Sequence, residues 1–214
     1  FNILDLALEK NADVLHSSTS EIYGDPLQHP QVEDYFGNVN PFGPRSCYDE
    51  GKRCAETIIY EYINKKKLSA KIVRIFNTYG PNMDIDDGRV VSNFIVQALR
   101  GEDLTIYGDG SQTRSLCYVD DLLEGFESFR KIGKSSTGPV NLGNSNEISI
   151  KELAEVIIDQ TNSKSGIIYK DLPENDPKVR KPNTEKAKKL FSFEPKYNLN
   201  DGLKKTISYF QNKI

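Results

Sequence analysis

Two short apolar segments on either side of an amphipathic helix constrain the fold of this chain most strongly. Residues 13–18 and 71–76 each have the length and apolar content of a buried strand. Between them, small and apolar residues recur at helical spacing: Gly51, Cys54, Ala55, Ile58, Ile59, Tyr62 and Ile63. Because neighbouring parallel strands need a crossover, usually a helix, this order predicts an α/β fold built on a parallel sheet.

The second half of the chain predicts a smaller, mixed α/β lobe attached to this sheet. Short strands are expected at Leu104–Tyr107 and Pro139–Gly143, and residues 167–182 are expected to be mostly loop. Helices are predicted at 88–100, at 119–131, from the capping box Ser149–Glu152 onward, at 183–191 and at 201–212.

Charge and cysteine usage exclude several classes of protein. The formal net charge is −3, so the balance gives no sign of a nucleic-acid partner, and no segment approaches the length of a membrane span. Three scattered cysteines form neither a disulfide framework nor a zinc site, and His16 and His29 lack a metal-ligand pattern. We therefore expect no metal and a reducing, cytoplasmic setting.

Tyr48 and Lys52 form the first candidate reactive pair. At positions i and i+4 they lie on one face of the predicted helix. A lysine ammonium near a phenol stabilises the phenolate, so the tyrosine can act as general base for a hydroxyl proton and as general acid in reverse. The alternative is a chance pair, because the spacing Tyr-x-x-x-Lys also occurs by accident.

A polar run, Ser17–Glu21, follows the first predicted strand. Open α/β sheets bind their ligands at the carboxyl ends of strands, so hydroxyls of Thr19 and Ser20 can hold a substrate hydroxyl near Tyr48. The alternatives are turn or capping chemistry for the two hydroxyls and a solvated carboxylate for Glu21.

These motifs together resemble the extended short-chain dehydrogenase/reductase family, and within it the UDP-glucuronate decarboxylases. The resemblance extends over nearly the whole chain, and five strings carry it: Ser17–Gly24, Asn38–Arg53 with its Tyr-x-x-x-Lys, Arg74–Pro81, Asp87–Phe94 and Tyr107–Arg114. It implies the C-terminal part of a doubly wound, Rossmann-like domain, with 1–81 as the partial NAD-binding part. Residues 82–214 are then mainly the sugar-nucleotide lobe, and the family interleaves the two.

The resemblance implies a reaction as well as a fold. NAD would oxidise C4 of UDP-glucuronate while Tyr48 takes the hydroxyl proton, and Lys52 would hold the nicotinamide ribose. The resulting 4-ketone makes the C5 carboxylate a β-keto acid that loses carbon dioxide, and reduction then gives UDP-xylose. Related 4,6-dehydratases carry an Asp-Glu pair where this chain has Ser20-Glu21, and serine is a poor acid. Dehydration is therefore disfavoured, and Glu21 is left as a candidate for the C5 region.

The same resemblance implies ligand-binding roles for seven further residues. Guanidinium forks match phosphate geometry, so Arg114 and Arg180, the latter in the loop 176–182, are predicted to bind the diphosphate. The alternative for either arginine is a surface salt bridge. Tyr107 is predicted to pack on the uracil, or else to be a buried core residue. The remaining assignments are Asn77 and Asn93 for the nucleotide and Thr78 and Arg89 for NAD.

One part of the family pattern is absent from the sequence. The chain has no Gly-rich dinucleotide fingerprint after a strand, and residues 1–8 begin inside an amphipathic helix with no capping residue before it. We therefore expect an N-terminally truncated chain, and a homodimer seam formed by the Tyr48–Lys52 helix and the preceding helix. Three alternatives stay open: a UDP-sugar 4-epimerase, a 4,6-dehydratase, and an inactive sugar-nucleotide-binding remnant.

Overall fold

The computed structural model describes residues 1–133, 138–172 and 179–214. Its strands are β1 (Val14–Thr19), β2 (Ala70–Ile75), β3 (Thr78–Tyr79), β4 (Leu104–Tyr107), β5 (Thr113–Ser115), β6 (Cys117–Tyr118), β7 (Pro139–Leu142), β8 (Glu147–Ser149) and β9 (Ile167–Lys170). Its helices are α1 (Asn2–Glu9), α2 (Ser46–Lys66), α3 (Val90–Arg100), α4 (Val119–Lys131), α5 (Ile150–Thr161), α6 (Glu185–Phe191) and α7 (Leu199–Gln211).

A three-stranded parallel sheet in the order β1-β2-β7 confirms the predicted α/β fold. β1 and β2 pair along their whole length, from Val14 opposite Ala70 to Thr19 opposite Ile75. β7 continues the sheet on the other side of β2. The carboxyl ends of all three strands therefore lie at one edge, and the segments that follow them meet there.

Helices cover both faces of this sheet because side chains alternate along a strand. On β2, Ile72 packs with α1 and α2 residues such as Leu4 and Ile59. Its neighbour Val73 points the other way and joins a cluster that includes Phe129 of α4. Residues of α6 complete the second cluster. This doubly covered arrangement fixes α2, which carries Tyr48, against the sheet.

The second lobe has its own core, formed chiefly by α3, α5 and α7 with the strands β4 and β6. β4 pairs with β9 in parallel, and β5 pairs with β8 in antiparallel fashion. The capping box at Ser149 is present as predicted, with both reciprocal bonds to Glu152. It begins α5, whose buried face includes Leu153 and Ile157.

Residues 167–182 were expected to be mostly loop, and no strand was predicted at their start, where Ile167–Lys170 forms β9. This strand is four residues long and three of its side chains are exposed, so it carries no apolar alternation that would reveal it. Its pairing with β4 creates it, and a bond from the Gly166 N–H to Asp103 Oδ1 (2.7 Å) fixes its start. Residues 173–178 lie outside the described residues.

Residues after 81 contribute to both parts of the molecule. β7, α4 and α6 build the central sheet and one of its faces, although they follow most of the second-lobe strands in sequence. The division at residue 81 thus stays a prediction about function rather than a boundary in space. Within the described ranges, none of the helices combines the length and the apolar character that crossing a membrane requires.

Candidate active site

A cleft of about 660 Å³ opens at the carboxyl edge of the parallel sheet, between the sheet and the second lobe. All twelve residues singled out from the sequence line it, although they extend along the chain from Thr19 to Arg180. They are Thr19, Ser20, Glu21, Tyr48, Lys52, Asn77, Thr78, Arg89, Asn93, Tyr107, Arg114 and Arg180. Their individual roles stay predictions, but the fold brings them to one place.

Tyr48 and Lys52 are held at the start of α2, above the end of β1. Lys52 Nζ donates to the Ser17 carbonyl oxygen at 2.8 Å and lies 5.8 Å from the centroid of the Tyr48 ring. Tyr48 is 49% exposed and stands in the first helical turn. The Lys52 ammonium and the positive end of the α2 helix dipole thus both lie beside the Tyr48 side chain.

Thr19 and Ser20 are buried at the end of β1, where the chain leaves the sheet in a 3₁₀ turn over Ser20–Tyr23. Thr19 Oγ1 accepts the N–H of Glu21 at 3.2 Å and caps this turn. The capping alternative is therefore observed for Thr19. A hydroxyl that accepts one bond retains its own proton, so Thr19 can still donate to a ligand in the cleft.

Glu21 is a paired carboxylate, and the alternative of a solvated one is wrong. Its side chain is 13% exposed and accepts bonds from Arg45 Nη2 at 2.6 Å and from both terminal nitrogens of Arg180. Burial by itself raises the pKa of Glu21, but the Arg180 and Arg45 guanidiniums outweigh it and hold the pKa below its usual value. Glu21 is thus ionised at neutral pH.

Arg180 lies in a buried ion pair and not in the surface salt bridge that was its alternative. Both terminal nitrogens of its guanidinium donate hydrogen bonds to Glu21 in this structure. A diphosphate would therefore have to bind the guanidinium together with the Glu21 carboxylate or displace that carboxylate. The neighbouring positions 176–178 of the predicted substrate loop lie outside the described residues. Arg114 is also buried, and its Nη1 donates to the Thr113 carbonyl oxygen at 2.9 Å.

The residues predicted for the nucleotide and for NAD line the remaining walls. Asn77 Oδ1 is buried and has no hydrogen-bond partner within the described part of the chain. Thr78 Oγ1 donates to the Phe76 carbonyl oxygen at 2.9 Å. Arg89 stands just before α3 with its side chain exposed. Tyr107 is 46% exposed at the cleft, which excludes the alternative of a buried core tyrosine.

A buried network behind the cleft was not predicted from the sequence. Glu56, one turn after Lys52 on α2, accepts bonds from Ser18 Oγ and from Arg74 Nε and Nη2, the last at 2.7 Å. Arg74 Nη1 also donates to the Tyr23 hydroxyl at 2.9 Å, and burial raises the pKa of Tyr23 to about 12. These bonds tie the Tyr48–Lys52 helix to β1 and β2.

Three further side chains were not predicted from the sequence: Arg45 and Gln112, which line the cleft, and Asp49, which lies next to Tyr48 but not in the lining of the cleft. Arg45 and Asp49 fall within the string that carried the resemblance, one turn before Tyr48 and directly after it. Gln112 lines the cleft; its Nε2 donates to the Tyr107 carbonyl oxygen at 2.8 Å, while its buried Oε1 has no partner within the described residues. Only the spacing of Arg45 from Tyr48 gave a signal, because a helical turn brings them together.

Known decarboxylases are similar to this chain along its full length. It is 52% identical over 213 residues to UDP-glucuronic acid decarboxylase 2 of Arabidopsis thaliana, covering 100% of this chain and 47% of the relative. UDP-glucuronic acid decarboxylase 1 of Danio rerio is 51% identical, with 100% and 50% covered. The chain thus spans about half the length of the curated relatives it matches.

Solved structures share its fold. UDP-glucose 4-epimerase from Thermotoga maritima, solved with UDP-glucose, matches with a TM-score of 0.91 and 26% identity over 99% of this chain and 67% of that one. UDP-glucuronic acid 4-epimerase from Bacillus cereus, in complex with UDP-glucuronic acid and NAD, gives 0.88 and 27% over 99% and 66%. Residues 1–143 match the sequence pattern of a single family. The chain belongs to the NAD dependent epimerase/dehydratase family.

Proposed function

We propose that the protein is an NAD-dependent decarboxylase that converts UDP-glucuronate to UDP-xylose through a 4-keto intermediate. One observation carries the proposal: Tyr48 and Lys52 share a cleft with Thr19, Ser20 and Glu21, in a chain half identical to UDP-glucuronic acid decarboxylases. The resemblance in sequence favours decarboxylation over the 4-epimerisation of the structurally similar epimerases, which are only about a quarter identical.

The side chains in the cleft fit the nicotinamide end of NAD. Lys52 has three ammonium protons and uses one on the Ser17 carbonyl, so two remain for ribose hydroxyls. Asn77 Oδ1, which is buried and has no partner among the described residues, supplies an acceptor on the same wall. When bound, NAD would supply reversible hydride transfer at C4 of the sugar.

Tyr48 performs the proton chemistry at the sugar 4-hydroxyl. It takes the hydroxyl proton as C4 is oxidised, and it gives the same proton back when the ketone is reduced. Its position in the first turn of α2, beside the Lys52 ammonium, stabilises the phenolate that does this. Thr19 and Ser20 orient the sugar by donating hydrogen bonds to its hydroxyls.

Decarboxylation itself needs no strong acid or base from the protein. Once C4 is a ketone, the C5–C6 bond breaks, its electron pair enters the ketone, and carbon dioxide leaves. Ser20 cannot protonate a departing hydroxyl, so dehydration is disfavoured. Around Glu21, two guanidiniums face one carboxylate, and the remaining positive charge attracts an anionic group of the substrate.

The test is product analysis after incubating the purified protein with UDP-glucuronate and NAD. We expect carbon dioxide and UDP-xylose in equal amounts. A six-carbon 4-epimer without carbon dioxide would establish the epimerase alternative. Binding of UDP without any conversion would establish the binding remnant, and in either case the decarboxylase proposal fails.

We also propose that the protein works as a homodimer in the cytoplasm. Ile3 and Leu6 on α1, Phe1 just before it and Tyr60 on α2 have exposed side chains, which supports a seam between these helices and their copies. The free thiols of Cys47, Cys54 and Cys117 suit a reducing compartment. Light scattering tests the assembly: a mass of one chain contradicts it.

A further inference from the structure

A second cavity of about 270 Å³ lies on the far side of the Glu21–Arg45 ion pair. Both side chains line this cavity and also the active-site cleft, so they form the partition between the two spaces. The other walls come from the loop before α2 and from the first turn of α2: Gly24, Asp25, Asn38, Val39, Asn40, Gly43, Ser46 and Asp49.

The cavity connects the partition to solvent. Asp25, Asn38 and Asn40, which line it on the loop side, are exposed, whereas Asp49 is buried. In the partition, the Glu21 side chain is 13% exposed and the Arg45 side chain is 41% exposed. A polar space of this size accommodates water molecules, which satisfy the polar groups of its walls. Water therefore reaches the rear of Glu21 without passing through the substrate cleft.

Asp49 is the buried acid of this cavity. It is 6% exposed, and its Oδ1 has no hydrogen-bond partner in the part of the chain that the structure describes. Burial and then the negative charge of Glu21 raise the pKa of Asp49, and they outweigh Arg45 and Arg180. An unpartnered buried carboxyl is costly, so water in the cavity is its natural partner.

The proposed decarboxylation consumes one proton from solvent in every turnover. Carbon dioxide leaves with both oxygens of the carboxylate and without the bonding electrons, which return from the ketone oxygen to C5 as C5 takes a proton. The proton that Tyr48 removes from the 4-hydroxyl returns to the same oxygen, so it does not serve C5. A separate route for this proton lets C5 be supplied while the substrate fills the cleft.

We propose that the second cavity is this route: Asp49 takes a proton from cavity water and passes it through Glu21 toward C5. The inference rests on the proposed function and adds the source of the proton to it. Water in the cavity then protonates Asp49 again after each transfer, while the substrate stays bound. Glu21, ionised and shared by both spaces, accepts the proton only in transit.

A single-turnover quench-flow experiment on the purified protein with NAD tests this role. With carboxyl-labelled UDP-glucuronate, release of labelled carbon dioxide and formation of UDP-xylose are followed separately. In Asp49→Asn we expect carbon dioxide release within about twofold of the unchanged protein and UDP-xylose formation at least about tenfold slower. Glu50→Gln, which removes a carboxylate outside the cavity on the same helical turn, should change neither rate by more than about twofold.

A second variant keeps the test valid if Asp49→Asn does not fold. Val39→Phe narrows the cavity with Asp49 intact and should likewise slow UDP-xylose formation alone. Equal slowing of both phases in these variants, or no slowing of either, overturns the inference alone. No carbon dioxide from the unchanged protein contradicts the proposed function, and the inference with it.

Discussion

At the scale of single residues, the proposed chemistry depends most on Tyr48. Replacing it by Phe removes the oxygen that carries the 4-hydroxyl proton, so kcat should fall by about 10²–10⁴-fold. Affinity for UDP, measured by calorimetry, should stay unchanged because the ring remains in place. Tyr60→Phe, on an exposed position of the same helix, is the matched control and should keep full activity. An active Tyr48→Phe enzyme would rule out Tyr48 as the base.

Glu21 makes a pH-dependent contribution to stability. Its pKa is lower in the folded protein than in the unfolded chain, so the stabilisation is fully present above about pH 4.3 and is lost as the pH falls through the folded pKa. Urea unfolding should therefore show Glu21→Gln less stable than the unchanged protein at pH 7. The difference in the free energy of unfolding between the two proteins should shrink as the pH is lowered.

Glu61→Gln provides the control for this measurement. Glu61 pairs with Lys65 on the exposed side of α2, where a single ion pair contributes little to stability. The free energy of unfolding of Glu61→Gln should therefore equal that of the unchanged protein at both neutral and acid pH. If the difference in the free energy of unfolding between Glu21→Gln and the unchanged protein stays constant down to acid pH, the two arginines do not hold the carboxylate ionised.

The site residues were predictable from sequence where a local string or helical spacing identified them. Tyr48 and Lys52 follow from i, i+4 spacing, and all twelve candidates line one cleft. The partners of Glu21 were not predictable, because Arg45 and Arg180 lie 24 and 159 positions away and only the folded chain joins them. Asp49 likewise gives no sign in the sequence that its carboxyl is buried.

At the scale of elements, the Glu56–Arg74 pair joins α2 to β2 in a buried position. Arg74→Met leaves the Glu56 carboxylate without its main partner and should lower the free energy of unfolding by about 3–5 kcal/mol. Adding Glu56→Gln should recover most of that loss, because no buried charge is then left unpaired. A double variant as unstable as Arg74→Met would show that the pair is not coupled.

The capping box of α5 gives a smaller, local prediction. Ser149→Ala removes the oxygen that accepts the Glu152 N–H at 3.1 Å, so the free energy of unfolding should fall by about 1 kcal/mol. Ser145→Ala, four residues earlier on an exposed loop position, should leave it unchanged. Equal effects of the two substitutions in urea unfolding would contradict the capping role.

The helices, the central strands and β4 at Leu104–Tyr107 were predicted from the sequence, whereas the other short strands of the second lobe were not. The capping box Ser149–Glu152 predicted the start of α5, and the apolar residues of β2 were enough to predict a strand there. β9 is exposed along most of its length and exists because β4 pairs with it. Tertiary pairing of this kind leaves no period in the sequence.

At the scale of the whole molecule, the chain alternates between its two parts. β7, α4 and α6 return to the central sheet after the second lobe has begun, which lets the lobe close over the carboxyl ends of β1 and β2. The sequence predicted the parallel sheet and the mixed α/β lobe, but not which of the later strands and helices belong to each. The cleft forms where they meet, so its shape depends on both parts together.

The measurement that tests the central claim most directly is the mass spectrum of the nucleotide sugar formed from UDP-glucuronate and NAD in D₂O. Loss of carbon dioxide followed by protonation at C5 predicts UDP-xylose with one deuterium, bound to C5. A product that keeps all six carbons, or a pentose without solvent deuterium at C5, would contradict decarboxylation through the 4-ketone.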